Sequence, residues 1–167
     1  MQSAIRDKAS HPRLGLAISL SLSVVAAIVL AGCSSAASSG SSSAPSGGAI
    51  NVTLTEWAVV LGEPSAPAGS VSFNVTNAGT QFKHEFVVIK TDLDPADLPA
   101  DSTGKVDEAG AGITFIGEVE ELEIGASQEA SFDLTPGKYV LICNIVEAAG
   151  AHESHYTQGM RTAFTVN

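Results

Sequence analysis

The sequence predicts an all-β domain, an antiparallel Greek-key β-sandwich of seven to eight strands, over residues 50–167. Three observations predict this fold class. Apolar residues alternate with polar ones along several short segments, which is typical of strands that bury one face. Two further segments are continuously apolar, as central strands are. Turn-forming residues separate these segments, and no strong helical periodicity occurs in residues 50–90 or 125–167.

The strands are predicted in chain order from these patterns. Four segments alternate apolar and polar side chains and are predicted as half-buried strands: residues 50–55, 71–76, 130–134 and 164–166. Two segments are continuously apolar and are predicted as central strands: residues 86–89 and 139–143. Turns are expected at residues 77–80 and 135–137, which contain glycine with asparagine or proline.

One segment departs from this regular pattern. Residues 91–117 are acidic and contain proline and glycine. We therefore expect an acidic loop excursion over 91–117, with a short helix around residues 95–98.

The N-terminal residues 1–32 are predicted to be a lipoprotein signal peptide. Three basic side chains stand against one acid in residues 1–13, and a 17-residue apolar run follows at 14–30. A basic leader and an apolar run are typical of a secretory signal. The sequence Leu-Ala-Gly-Cys33 resembles the bacterial lipoprotein box, which implies cleavage before Cys33 and lipid attachment to Cys33. The alternative is a signal anchor retained in the membrane, although the run is at the short end for spanning.

The segment after the signal peptide and the net charge of the remaining chain indicate how the domain is attached and which partners suit it. Residues 33–49 are rich in serine, alanine and glycine and are predicted to be a flexible tether. Removing residues 1–32 leaves 5 of the 8 basic and 17 of the 18 acidic side chains, a net charge of −12. This charge argues against nucleic-acid binding and against electrostatic attraction to anionic lipid. We expect attachment through acyl chains on the extracytoplasmic face of the cell membrane. The acidic surface suits a basic redox partner, or serves solubility alone.

Four residues form a predicted metal site. If Cys33 carries lipid, Cys143 has no disulfide partner and is either buried and inert or bound to a metal. Cys143 ends an apolar strand, His155 and Met160 follow it, and His84 opens an upstream strand. Each alone has an ordinary explanation in core packing. Together, two imidazoles, a thiolate and a thioether are the ligand set of type 1 copper, so we predict one copper ion at these residues.

Three sequence blocks resemble the cupredoxins, the family of plastocyanin, azurin and the sulfocyanins. The blocks are His-Glu-Phe-Val-Val at 84–88, Pro-Gly-Lys-Tyr-Val-Leu-Ile-Cys-Asn at 136–144 and His-Tyr-Thr-Gln-Gly-Met-Arg at 155–161. The resemblance implies a cupredoxin-like sandwich over 50–167, and it implies that the copper ligands are His84, Cys143, His155 and Met160.

The spacing of the loop differs from the usual cupredoxin pattern. The family places its loop histidine a few residues after the cysteine, whereas eleven residues separate Cys143 from His155 here. The insertion contains His152, a rival ligand. We prefer His155, because His-x-x-x-x-Met returns the chain to the metal in one tight turn, whereas His152 leaves seven residues before Met160.

Four neighbouring residues also have predicted roles. We expect Asn144 to bond across to the His84 strand and orient the sulfur, with loop capping as the alternative. Trp57 and Tyr139 are expected in the core. Glu85 is expected on the opposite face of its strand from His84 and not to bind the metal.

The predicted function is one-electron transfer. We expect a monomeric carrier between redox proteins, such as a c-type cytochrome and an oxidase. A copper chaperone or buffer that delivers copper to an oxidase would use the same ligands, and a metal-free sandwich is a third interpretation. An enzyme is not expected: Cys143 closes a core strand without an oxyanion-hole motif, and one domain with few spare histidines offers no second copper site.

Overall fold

The structure, a computed structural model, describes residues 48–148 and 153–167. The predicted signal peptide, the lipid-attachment residue Cys33, most of the tether and the rival ligand His152 lie outside these residues. Within the two described ranges the chain forms nine strands and one helix. The strands are Ile50–Thr55 (β1), Ala58–Leu61 (β2), Ser65–Ala66 (β3), Gly69–Asn77 (β4), His84–Lys90 (β5), Thr114–Leu122 (β6), Ser127–Leu134 (β7), Gly137–Ile142 (β8) and Arg161–Val166 (β9), and the helix α1 is His155–Gln158. No helix in this described part of the chain has the length and hydropathy that crossing a membrane requires.

The strands form two sheets that pack into a Greek-key β-sandwich, which confirms the predicted fold class. One sheet has the order β2-β1-β4-β7, and the other has the order β3-β9-β8-β5-β6. Most neighbouring strands are antiparallel, as predicted. The β1–β4 and β3–β9 pairs are parallel instead. The chain leaves β1 through β2 and β3 before it returns as β4, so a connection longer than a hairpin separates β1 from β4, as parallel pairing requires.

The core lies between the sheets and follows the predicted alternation. Along β1 the side chains of Ile50, Val52 and Leu54 point inward, and β4 buries every second residue in the same way. The continuously apolar strands β5 and β8 are central in their sheet, and both of their faces are covered. The face of β5 and β8 that points away from the main core packs in a second apolar cluster, which consists of Val87, Ile89, Leu98, Val106, Val140, Ile142 and Tyr156. This cover explains why β5 and β8 lack alternation.

The acidic excursion is a loop from residue 91 to residue 113, and β6 begins at Thr114 within the predicted range. No helix forms at residues 95–98, so that part of the expectation was wrong. The Leu98 N–H donates to the Tyr156 hydroxyl at 3.0 Å, and that hydroxyl donates to the Pro95 carbonyl at 2.8 Å. Pro99 also disfavours helical geometry at Leu98. These bonds hold residues 95–98 against Tyr156 of α1 in a non-helical conformation.

Candidate metal centre

Two predicted ligands meet because their strands are antiparallel neighbours. His84 is the first residue of β5, and Cys143 follows the last residue of β8. In the register of this pair Val87 lies opposite Ile142, so the start of β5 adjoins the end of β8. The Glu85 N–H donates to the Cys143 sulfur at 3.4 Å. This bond places the thiol group beside the first two residues of β5.

The third and fourth predicted ligands come from one tight turn. His155 begins α1, whose N-cap Ser154 accepts a hydrogen bond from the Thr157 N–H. The Met160 N–H donates to the His155 carbonyl at 3.0 Å, and the Cys143 N–H donates to the Met160 carbonyl at 3.1 Å. Backbone hydrogen bonds therefore join residues 143, 155 and 160, which places Met160 next to both Cys143 and His155. The predicted return of the chain through His-x-x-x-x-Met is the turn observed.

The donor atoms of His84, Cys143 and His155 converge on one point. The two imidazole Nδ1 atoms are 3.2 Å apart, and the Cys143 Sγ lies 3.9 Å from Nδ1 of His84 and 3.2 Å from Nδ1 of His155. With metal–nitrogen bonds of about 2.0 Å and metal–sulfur bonds of about 2.3 Å, three donors in a trigonal plane have an N···N distance of about 3.5 Å and N···S distances of about 3.7 Å. The observed separations fall within about 0.5 Å of these values. The three atoms therefore fit around one metal ion.

The chemistry of these donors also fits a soft or borderline transition metal. His84, Cys143, His155 and Met160 are all buried, at 0% exposure. Burial, together with the adjacent His155, lowers the pKa of His84 to about 4, and burial lowers the pKa of His155 as well. Both imidazoles are thus neutral at pH 7, with a lone pair available. Two neutral imidazoles, a cysteine sulfur and a nearby thioether are the donor set of a type 1 copper site.

The sulfur needs a cation to ionise. Burial raises the pKa of the Cys143 thiol to about 12, although the Glu85 N–H stabilises the thiolate. Because the thiolate is the form that binds metals, a metal that binds here displaces the thiol proton.

Backbone contacts join the two ends of the long insertion between Cys143 and His155. Val146 and Ser154 form an isolated antiparallel bridge, and the Glu147 N–H donates to the Glu153 carbonyl at 3.0 Å. The described ends of the insertion therefore lie side by side at a closed base, which explains how His155 reaches Cys143 despite eleven intervening residues. His152 lies outside the described residues.

Sequence reasoning missed an aromatic pair that flanks His155. The Trp57 ring lies 5.3 Å from the His155 ring at an interplanar angle of 73°, and the Phe82 ring lies 5.6 Å from it. Both aromatic side chains are half-buried. Trp57 therefore packs against the site as well as the core, and Tyr139 is in the core as predicted, at 1% exposure. Trp57 and Phe82 precede β2 and β5 with no periodic pattern that would have placed them here.

Asn144 bonds through its backbone to the His84 strand and through its side chain to the 91–113 loop. The Asn144 backbone N–H donates to a Glu85 carboxylate oxygen at 2.8 Å, which links it to the His84 strand. Its side chain instead bonds both backbone groups of Val106 and the carboxylate of Glu108. The expected bond to the His84 strand is therefore made by the Asn144 backbone, whereas its side chain caps the 91–113 loop, as in the alternative interpretation. The Asn144 side chain holds the 91–113 loop, because its amide oxygen and amide nitrogen bond to the backbone N–H and carbonyl of a single loop residue, Val106.

Comparison with known proteins yields structural neighbours only. No protein-family model and no curated protein matches the chain. Solved structures that resemble it include cupredoxins, among them an auracyanin from Roseiflexus castenholzii with 24% identity and a TM-score of 0.48, which covers 70% of this chain and 94% of that chain. Rusticyanin from Thiobacillus ferrooxidans has 18% identity and a TM-score of 0.46, with coverage of 73% and 79%. An azurin from Methylomonas sp. strain J has 16% identity and a TM-score of 0.45, with coverage of 70% and 95%. These likenesses are distant, so the donor atoms of the chain itself carry the functional proposal.

Proposed function

We propose that this protein holds one copper ion through His84, Cys143, His155 and Met160 and carries single electrons. The observation that carries this proposal is the convergence of two imidazole nitrogens and one thiol sulfur at 3.2–3.9 Å in a fully buried site. Copper bound to such a donor set alternates between the +2 and +1 states by exchanging one electron. The burial of these side chains and the backbone hydrogen bonds of the turn suit this exchange, because they limit the movement of the ligands between the two states.

The same burial favours an electron carrier over a copper chaperone. A chaperone must pass its metal to another protein, which is easiest through ligands that reach the surface. The three donor side chains are at 0% exposure, and backbone hydrogen bonds fix the turn that contains His155 and Met160. An electron, unlike an ion, can leave such a site through packed side chains. We propose no enzymatic activity for this centre.

The proposed location is the extracytoplasmic face of the cell membrane, with a lipid on Cys33 as the anchor. The basic leader, the apolar run and the Leu-Ala-Gly-Cys33 sequence support this proposal. A net charge of −12 after cleavage suits a monomeric carrier that meets basic surfaces of a c-type cytochrome or an oxidase.

The optical spectrum of the copper-loaded protein tests the proposal. Cu(II) should produce an intense blue thiolate-to-copper absorption, and Cys143→Ser should remove it. His155→Ala should also remove it, while His152→Ala, its matched control on the same loop, should retain it. A wild-type protein that binds Cu(II) without colour would overturn the proposed function, and loss of colour in His152→Ala alone would overturn the assignment of His155.

A further inference from the structure

A carboxylate oxygen lies behind each of the two buried imidazoles. Glu147 Oε1 is 3.4 Å from Nε2 of His155, and Glu56 Oε1 is 4.0 Å from Nε2 of His84. The Nδ1 atoms of both rings face the metal centre. Among the described residues, neither buried Nε2 atom has a partner with hydrogen-bond geometry. The carboxylates are therefore the charged groups directed at otherwise unpaired ring nitrogens.

The backbone fixes the position of Glu56. Its Oε1 accepts the N–H groups of Thr80 and Gln81, each at 2.8 Å. At Gly79 a Cβ atom would lie 2.7 Å from that oxygen and 2.9 Å from Nε2 of His84. The absence of a side chain at Gly79 thus allows the carboxylate and the imidazole to approach each other.

The closed base of the insertion fixes the position of Glu147. The Glu147 N–H donates to the Glu153 carbonyl at 3.0 Å, next to the Val146–Ser154 bridge. Its side chain is 31% exposed, whereas the side chain of Glu56 is 15% exposed. Glu147 is therefore nearer to its histidine but more accessible to solvent, which screens its charge.

We propose that Glu56 and Glu147 are positioning residues that hold the proton of each ligand histidine on Nε2 and favour the oxidised metal ion. This inference rests on the proposed copper function. A carboxylate beside Nε2 attracts the N–H dipole, so Nδ1 keeps its lone pair for the metal. One-electron reduction lowers the charge of the ion from +2 to +1 with no proton transferred, so each fixed negative charge stabilises the oxidised form more than the reduced form.

The expected effect is a change in the ratio of Cu(II) affinity to Cu(I) affinity. Groups that contact metal ligands typically change metal affinity by about tenfold or more when they are altered. Neutralising Glu147 should therefore lower the Cu(II)/Cu(I) affinity ratio by about tenfold, which raises the reduction potential by about 59 mV for one electron. Neutralising Glu56 should change the ratio in the same direction.

The test compares the reduction potentials of copper-loaded full-length variants, measured by optical titration with ascorbate and ferricyanide. Glu147→Gln and Glu56→Gln should both raise the potential, and the amide oxygen that Glu56→Gln introduces can still accept the loop N–H groups. Glu147→Asp, which keeps the charge, should restore most of the wild-type potential. Glu129→Gln is the matched control, because Glu129 is exposed on β7, in the four-stranded sheet and not in the sheet that contains β5 and β8.

The outcomes separate this inference from the proposed function. If wild-type protein is blue but Glu147→Gln and Glu56→Gln shift the potential no more than Glu129→Gln, the inference is wrong and the copper site stands. If wild-type protein gives no blue band, the proposed function itself fails. Nitrogen NMR of the copper-free protein gives an independent measurement, because no metal then determines which ring nitrogen carries the proton: protons on Nε2 of His84 and His155 support the inference, and a ring protonated on Nδ1 overturns it.

Discussion

Replacement of Asn144 by alanine should strongly destabilise the fold next to the metal centre. The Asn144 amide oxygen accepts the Val106 N–H at 2.7 Å, and the amide nitrogen donates to the Val106 carbonyl at 3.0 Å. Val106 is 2% exposed, and among the described residues no other hydrogen bond reaches these two backbone groups. The alanine variant therefore leaves a buried donor and a buried acceptor without partners.

The size of the effect follows from these two groups. A buried polar group that loses its partner costs about 1–3 kcal/mol. Two such groups predict that Asn144→Ala lowers the free energy of unfolding by about 2–6 kcal/mol. The side chain also donates to Glu108 at 2.9 Å, but that bond is only partly buried and adds less. Solvent that enters the opened space would bring the value toward the lower end.

Urea unfolding of the copper-free protein measures this effect without reliance on the proposed function. The matched control is Asn74→Ala, because the Asn74 side chain makes one exposed hydrogen bond to Asn51 at 3.2 Å. That control should change the free energy of unfolding by about 0.5 kcal/mol or less. An Asn144→Ala variant as stable as Asn74→Ala would refute the conclusion that the Asn144 side chain holds the 91–113 loop next to the metal centre.

Two further predictions concern the surroundings of His84. Gly79→Ala should lower the free energy of unfolding by about 1–3 kcal/mol, because the added Cβ meets Glu56 and His84 at less than 3 Å; thermal unfolding that matches wild type would contradict this. In copper-free protein that carries Glu85→Gln, stability should fall as the pH drops from about 6.5 to about 4, because burial lowers the pKa of His84 to about 4 and also lowers the pKa of His155. Within that window the unfolded chain binds more protons at these two imidazoles than the folded chain, so acid favours unfolding, and their full contribution to stability is present above about pH 6.5. The variant is needed because burial raises the pKa of Glu85 to about 7, so this carboxyl acts in the opposite direction over the same range. Urea midpoints of the variant at pH 7.5 and pH 5 measure this change, and equal midpoints would count against neutral, buried imidazoles.

Local patterns predicted much of the fold and the residue types of the site. The alternation in β1 and β4 and the apolar runs in β5 and β8 appear directly in the sequence, because a strand side chain faces either the core or the opposite side. The helix expected at residues 95–98 failed because the loop bonds to Tyr156, about sixty residues later in the chain. The strand β6 was not predicted, since its exposed acidic residues give no clear alternation.

The sequence alone selected His84, Cys143, His155 and Met160 as candidate ligands, because their chemistry and their places at strand ends and in one turn are local features. Only the tertiary structure placed Glu56 and Glu147 behind the imidazoles, Trp57 and Phe82 against His155, and Asn144 against the 91–113 loop. These contacts join residues from different turns and loops, and their spacing along the chain has no period. Such contacts exist only once the sheets have packed, so the packing of the sandwich determined the surroundings of a site whose candidate ligands are local features of the sequence.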